Sequence, residues 1–312
     1  MKLMWIAAGF LIGFGSVALA DEKPRDQILA DCDAAAASPL DHTRPAGVAG
    51  VRTEKIVAES AIRACELAAN AAPDDARITL QLSRAYYAAR NLEAARTQLI
   101  KASQNGSARA AAGLASLYAN GRDGFARDDV EALRLSRLAA GGGDAQGQYT
   151  LGFFFLHGRG GLAQDDGEAA RLFRLSADQG YAPGQNSLAH LYREGRGGLA
   201  KDAREAVRLH QLAADQGDAS GQVSLALAYM LGEGGLPKDQ IEGVRLFKLA
   251  ADQGSAGGRS GLARAYERGI GGLAKDENEA IRLYKLAADQ GNAYAQEALA
   301  RMTGGQPASA GK

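Results

Sequence analysis

The 312-residue chain has little of what site chemistry is built from: two cysteines and four histidines. It contains no His-Glu-x-x-His, no phosphate loop ending in Gly-Lys-Ser or Gly-Lys-Thr, and no Gly-x-Ser-x-Gly elbow. Those absences exclude the commonest metalloprotease, nucleotide-hydrolysing and serine-esterase arrangements. His42, His157, His190 and His210 stand singly, so a metal site would have to gather ligands from separate segments. We therefore expect no metal, no cofactor and no catalytic residue. Charge of one sign is missing as well, with 36 basic against 36 acidic side chains. A neutral, interspersed surface gives nucleic acid or anionic lipid nothing to hold.

There is also only one long apolar run. Lys2 precedes Leu3 to Gly15, and Ala18-Leu19-Ala20 offers the small residues that a signal peptidase reads. The expectation is a signal peptide over 1–20, cleaved after Ala20, and a periplasmic or secreted protein with no stable membrane insertion afterwards. No cysteine follows that site to take a lipid. In an oxidising compartment Cys32 and Cys65, each on an expected helix, pair as one disulfide. The bond ties a short helix around Arg25 to Ala37 onto an amphipathic helix over residues 53–72, which carries Ile56, Ala61, Ile62, Cys65 and Leu67. Between them, the two prolines and the glycine of Ser38 to Gly47 read as loop.

What the chain does have is a phrase that returns every 37 residues, closing on Gly180, Gly217, Gly254 and Gly291. A fixed period in this range means a stack of supersecondary units. In each unit an Ala is followed six residues later by Leu, and four after that by an aromatic, as in Ala145, Leu151 and Phe155. This spacing puts them on one face of a helix. A second helix opens with Asp-x-x-Glu, as at Asp165 to Glu168, a capping-box pattern in which the Glu reaches back to the cap. The fold class expected is all-α, a right-handed solenoid of antiparallel helix pairs. The loop Gly158-Arg-Gly-Gly-Leu-Ala163 spells a dinucleotide-like glycine pattern, but it lies between two helices with no strand before it. Phosphate binding is therefore not expected there.

Ala145, Leu151, Gly152, Phe155 and Gly158, then Asp165, Ala169, Ala177, Asp178, Gln179 and Gly180, resemble the Sel-one-like repeat (SLR) family, a relative of the tetratricopeptide repeat. The resemblance covers about two thirds of the chain. It implies a non-enzymatic interaction scaffold, since exported members look like adaptors for envelope complexes or receptors. A cysteine-rich exported subgroup is linked to penicillin binding and β-lactam hydrolysis, which supplies the alternative of a β-lactamase-like hydrolase. That subgroup carries a disulfide in nearly every repeat, whereas both cysteines here precede the repeats.

The expected organisation is a disulfide-bonded helical cap over 21–73, a tetratricopeptide-like pair over 74–106, the SLR solenoid over 107–303, and a tail over 304–312. In such a solenoid the first helix of each pair lines the concave face, so positions there that differ between units are candidates for holding a protein or peptide partner. They are Tyr149, Phe153, Leu156 and His157, then Asn186, His190 and Glu194. Val223, Leu227, Met230 and Leu231 follow, and last come Arg264 and Arg268. The groove so drawn has two apolar stretches separated by a polar one and closed by a basic one, the pattern of a protein interface. Phe154, Leu191 and His210 are expected in the core.

Overall fold

A computed structural model describes residues 23–304, so the expected signal segment 1–20 and the tail from 305 lie outside the described residues. Among the described residues there are fifteen α-helices and no strand. The N-terminal part comprises α1 (Arg25–Ala36), α2 (Ala58–Ala71), α3 (Ala76–Ala88) and α4 (Leu92–Gln104). The repeats follow as pairs: α5 (Ala108–Asn120) with α6 (Asp129–Gly141), α7 (Ala145–His157) with α8 (Asp166–Asp178), and α9 (Ala182–Glu194) with α10 (Ala203–Asp215). Then come α11 (Ala219–Leu231) with α12 (Gln240–Asp252), α13 (Ala256–Arg268) with α14 (Glu277–Ala288), and α15 (Ala293–Thr303) alone.

The 37-residue phrase has a physical cause at each of its marked positions. The closing glycines turn the chain with φ between 78° and 86° at Gly180, Gly217, Gly254 and Gly291, a region that a side chain resists. The Gln before each of the first three glycines donates its amide to a Gln on the first helix of its own unit: Gln179 to Gln148 (2.7 Å), Gln216 to Gln185 (2.8 Å) and Gln253 to Gln222 (2.9 Å). The loop glycines have a different reason. A Cβ on Gly197 would stand 2.4 Å from the Asp166 carbonyl oxygen, because the loop lies directly on the second helix of the preceding unit. The glycine pattern is thus a packing device.

The cap of the second helix differs from expectation in one half. Asp165 Oδ1 accepts from Glu168 N–H (2.9 Å), and Asp128, Asp202, Asp239 and Asp276 cap in the same way. The Glu does not return to the cap. The cap N–H is already taken by the carbonyl of the aromatic in the preceding helix, as in Asp165 N to Phe155 O and Asp202 N to Tyr192 O, both 2.9 Å. The freed Glu pairs instead with Arg one turn on, Glu168 with Arg171 and Glu205 with Arg208. These are exposed i, i+3 pairs, worth only a few tenths of a kcal/mol each.

Each unit buries one aromatic or its substitute between its two helices and the next pair. Phe173, Phe247 and Tyr284 are at most 3% exposed, and His210 occupies the same register at 2%. Phe154 and Leu191, expected in the core, are buried as well. Burying a side chain of this size contributes roughly 1.5–3 kcal/mol relative to exposure.

At the N-terminal end the Cys32–Cys65 disulfide joins α1 to α2, whose Cα atoms approach to 4.6 Å there. Asp33, buried beside it, accepts from Arg77 and from Gln81 (2.6 Å) of α3. The second helix is shorter than expected. Thr53–Lys55 form one 3₁₀ turn, Ile56 and Val57 are extended, and α2 starts at Ala58. Its buried stripe is Ala61, Cys65 and Ala68, while Leu67, expected on that face, is exposed.

Candidate groove of the first helices

Successive first helices touch, α5 with α7, α7 with α9, α9 with α11 and α11 with α13, whereas successive second helices make few contacts or none. The first-helix side is therefore the shorter, concave side. Along it the thirteen expected groove residues separate into three environments.

The first stretch is largely engaged with the protein itself. Tyr149 packs 5.9 Å from the Phe173 ring and 5.6 Å from that of Tyr181, ring centroid to centroid. Burial pushes its phenol upward and that of Tyr181 to about 12. Phe153 stacks on the exposed His157 at 4.2 Å and lies under the Arg159 guanidinium, which Asp129 holds from the preceding unit. Leu156 packs against the cluster around Phe173 and Leu188. It faces the joint between repeats, because it follows Phe155 onto the side turned to the next pair.

The polar middle is engaged within the protein. Asn186, expected to face a partner, is instead buried, and its Oδ1 accepts from His210 Nδ1 at 2.8 Å. The reason is the histidine that replaces Phe in this unit, since a buried imidazole needs a partner. Its Nε2 still has none among the described residues. The His190 ring stands edge-on at 5.0 Å, with its Nε2 3.3 Å from Ser224 Oγ. Burial, with the nearby His190 and Arg193, drives His210 down to about 3. His190 is also lowered, first by burial and then by Arg193. Glu194 points outward, paired with Arg196.

The third environment is an open recess of about 270 Å³. Val223, Leu227, Met230 and Leu231 line it from α11, and Arg264 lines it from α13. These five expected residues are brought together; Met230 is largely buried and also packs against Gly243 of α12. Arg268 lies one turn further along and borders a neighbouring recess. Sequence reasoning missed Tyr294 of α15 and the glycines Gly257 and Gly261 of α13, which also line the recess. The signal was present as three glycines, Gly257, Gly258 and Gly261, within one helix, where glycine costs about 1 kcal/mol relative to alanine. Gly258 repeats Gly147, Gly184 and Gly221 of the earlier units. Gly257 has no counterpart in the earlier units, and Gly261 has one only in α5, at Gly113. A Cβ on Gly261 would strike the Phe247 ring at 2.4 Å.

Among the described residues no group of three or more His, Cys, Asp or Glu is placed to hold a metal ion, and no helix is long and apolar enough to cross a membrane.

The Sel1 repeat family profile matches residues 108–144, 145–181, 182–218, 219–255 and 259–292, more than half of the chain. The chain belongs to the Sel1 repeat family. Two solved structures support the fold. The chain is similar to a Sel1 repeat protein of Oxalobacter formigenes at 27% identity and a TM-score of 0.57, covering 71% of this chain and 86% of that one. It is also similar to a protective antigen of uropathogenic Escherichia coli with an SLR fold, at 27% identity and a TM-score of 0.54. That match covers 79% of this chain and 53% of the antigen, so the Sel1-repeat chain spans about half the length of this relative. No curated protein matches the sequence. Sel1 repeats are in general protein-interaction modules and typically non-catalytic.

Proposed function

We propose that this Sel1-repeat protein is a non-enzymatic, extracytoplasmic scaffold that holds a peptide segment or a partner domain in its first-helix groove and so regulates an envelope or sensor complex. The observation that carries the reading is the recess at Leu227, which opens on the concave side where the repeat positions vary most. An apolar hollow rimmed by charge is the usual form of a protein-binding site. The export expectation draws support from the Cys32–Cys65 bond, a bond of oxidising compartments. In this reading residues 21–73 cap the first-helix stack, residues 74–106 extend it, and α15 closes it.

The test is crosslinking and pull-down from the cell envelope with wild type and with the Phe153→Ser, Leu227→Ser double variant, after circular dichroism has matched their helicity. A protein captured by wild type and lost from the variant supports groove binding. The same proteins from both would place the partner on another surface.

A further inference from the structure

Resting on the groove reading, we propose that the recess between α11, α13 and α15 takes an internal peptide segment in which one large apolar side chain stands next to an acidic one. The apolar side chain enters the recess and the carboxylate meets Arg264. At about 270 Å³ the recess falls just below the range of roughly 300–1,000 Å³ usual for small-molecule sites. It suits a single anchoring side chain, the unit on which most peptide interfaces depend. Val223, Leu227 and Leu231 supply apolar wall one turn apart along α11, and Tyr294 adds an aromatic from α15. Gly257 stands where α9 carries Pro183 and α11 Ser220, so α13 presents bare backbone to the recess there, while the absent side chain of Gly261 lets the Phe247 ring, which also lines the recess, lie against α13.

Charge selects the acidic neighbour. Arg264 is the one charged side chain lining the recess, and among the described residues it has no ion pair and no hydrogen bond. Three other arginines along the solenoid are already neutralised: Arg159 by Asp129, Arg196 by Asp166 and Arg301 by Glu267. Arg268, one turn beyond, adds a second cation that has no carboxylate within ion-pair distance among the described residues. Glu267 is held by Arg301 and by the Tyr284 hydroxyl, so it does not compete for Arg264. A carboxylate arriving here therefore gains a cation without breaking an existing pair. The first-helix face continues past the recess toward α9 and α7, which admits a segment running on in that direction.

The experiment is selection of a random dodecapeptide display library on the full protein, in parallel with its Arg264→Glu and Leu227→Ser variants. Wild type is expected to enrich peptides with Leu, Ile, Met or Phe beside Asp or Glu. Arg264→Glu is expected to exchange the acidic preference for Lys or Arg while keeping the apolar anchor. It should also bind the wild-type peptides about tenfold more weakly, since reversal turns an attraction into a repulsion. An apolar anchor with no charge preference, or the same acidic preference from Arg264→Glu, overturns the proposal and leaves the groove reading standing. Peptides that bind Leu227→Ser as well as wild type, or no enrichment at all, overturn both. Arg264 is a surface residue, so its variant keeps the test decisive even if Leu227→Ser folds poorly.

Discussion

Acidification should loosen the middle of this solenoid chiefly through His210, with the lowered His190 beside it, present in both proteins compared below, acting in the same direction. In the folded protein His210 is buried and its pKa lies at about 3, against an ordinary value of 6.5. Between those values the unfolded chain binds a proton that the folded protein refuses, so stability is lost as pH falls below 6.5, at up to about 1.4 kcal/mol per pH unit. From pH 7 to pH 5 the loss comes to about 2 kcal/mol. While the folded pKa stays below the assay pH, the unfolded value alone sets that loss. The natural control is the neighbouring unit, which pairs Val223 with Phe247 at the same two positions. Asn186→Val with His210→Phe reproduces that pair and removes the orphaned Nε2 together with the amide that served the imidazole. Urea unfolding at pH 7 and pH 5 should show wild type losing about 2 kcal/mol more than the double variant. Because repeat arrays can unfold in parts, amide exchange of α9 and α10 should report the same difference locally. Parallel losses in the two proteins would refute the buried neutral imidazole.

Three further outcomes follow from the packing. Intact mass of the unreduced protein should be two hydrogens lighter than the reduced form, and Cys32→Ser with Cys65→Ser should destabilise the α1–α3 region by roughly 3–4 kcal/mol while sparing the distant repeats. Gly197→Val should cost about 1–3 kcal/mol or more in thermal or urea unfolding, since its Cβ meets the Asp166 carbonyl and its φ is +67°; an unchanged midpoint would contradict the loop contact. Asp202→Ala should cost about 1 kcal/mol through loss of its bonds to Arg204 and Glu205 N–H, whereas Glu205→Ala should cost a few tenths, because that side chain serves only an exposed pair.

The helix pairs, their caps, their turns and the partnership of the two cysteines were all legible in the chain alone. These are local or forced: a 3.6-residue apolar period, an Asp at the cap, a glycine at positive φ and a pair of thiols with no third. The capping box was half legible, because the backbone N–H that Glu168 was expected to satisfy is taken by the Phe155 carbonyl across the loop between α7 and α8. In the groove, the sequence named the positions but could not sort them. Asn186 and Leu227 are both first-helix positions that vary between repeats. Stacking of the repeats sets them apart: Asn186 is consumed by His210 of the second helix, while Leu227 borders open space between three first helices. That space is bounded by the bare backbone of Gly257, by the Phe247 ring that Gly261 admits, and by Tyr294 of a later helix. A hollow is a relation among elements that meet only once the solenoid has stacked, and no single helix carries it.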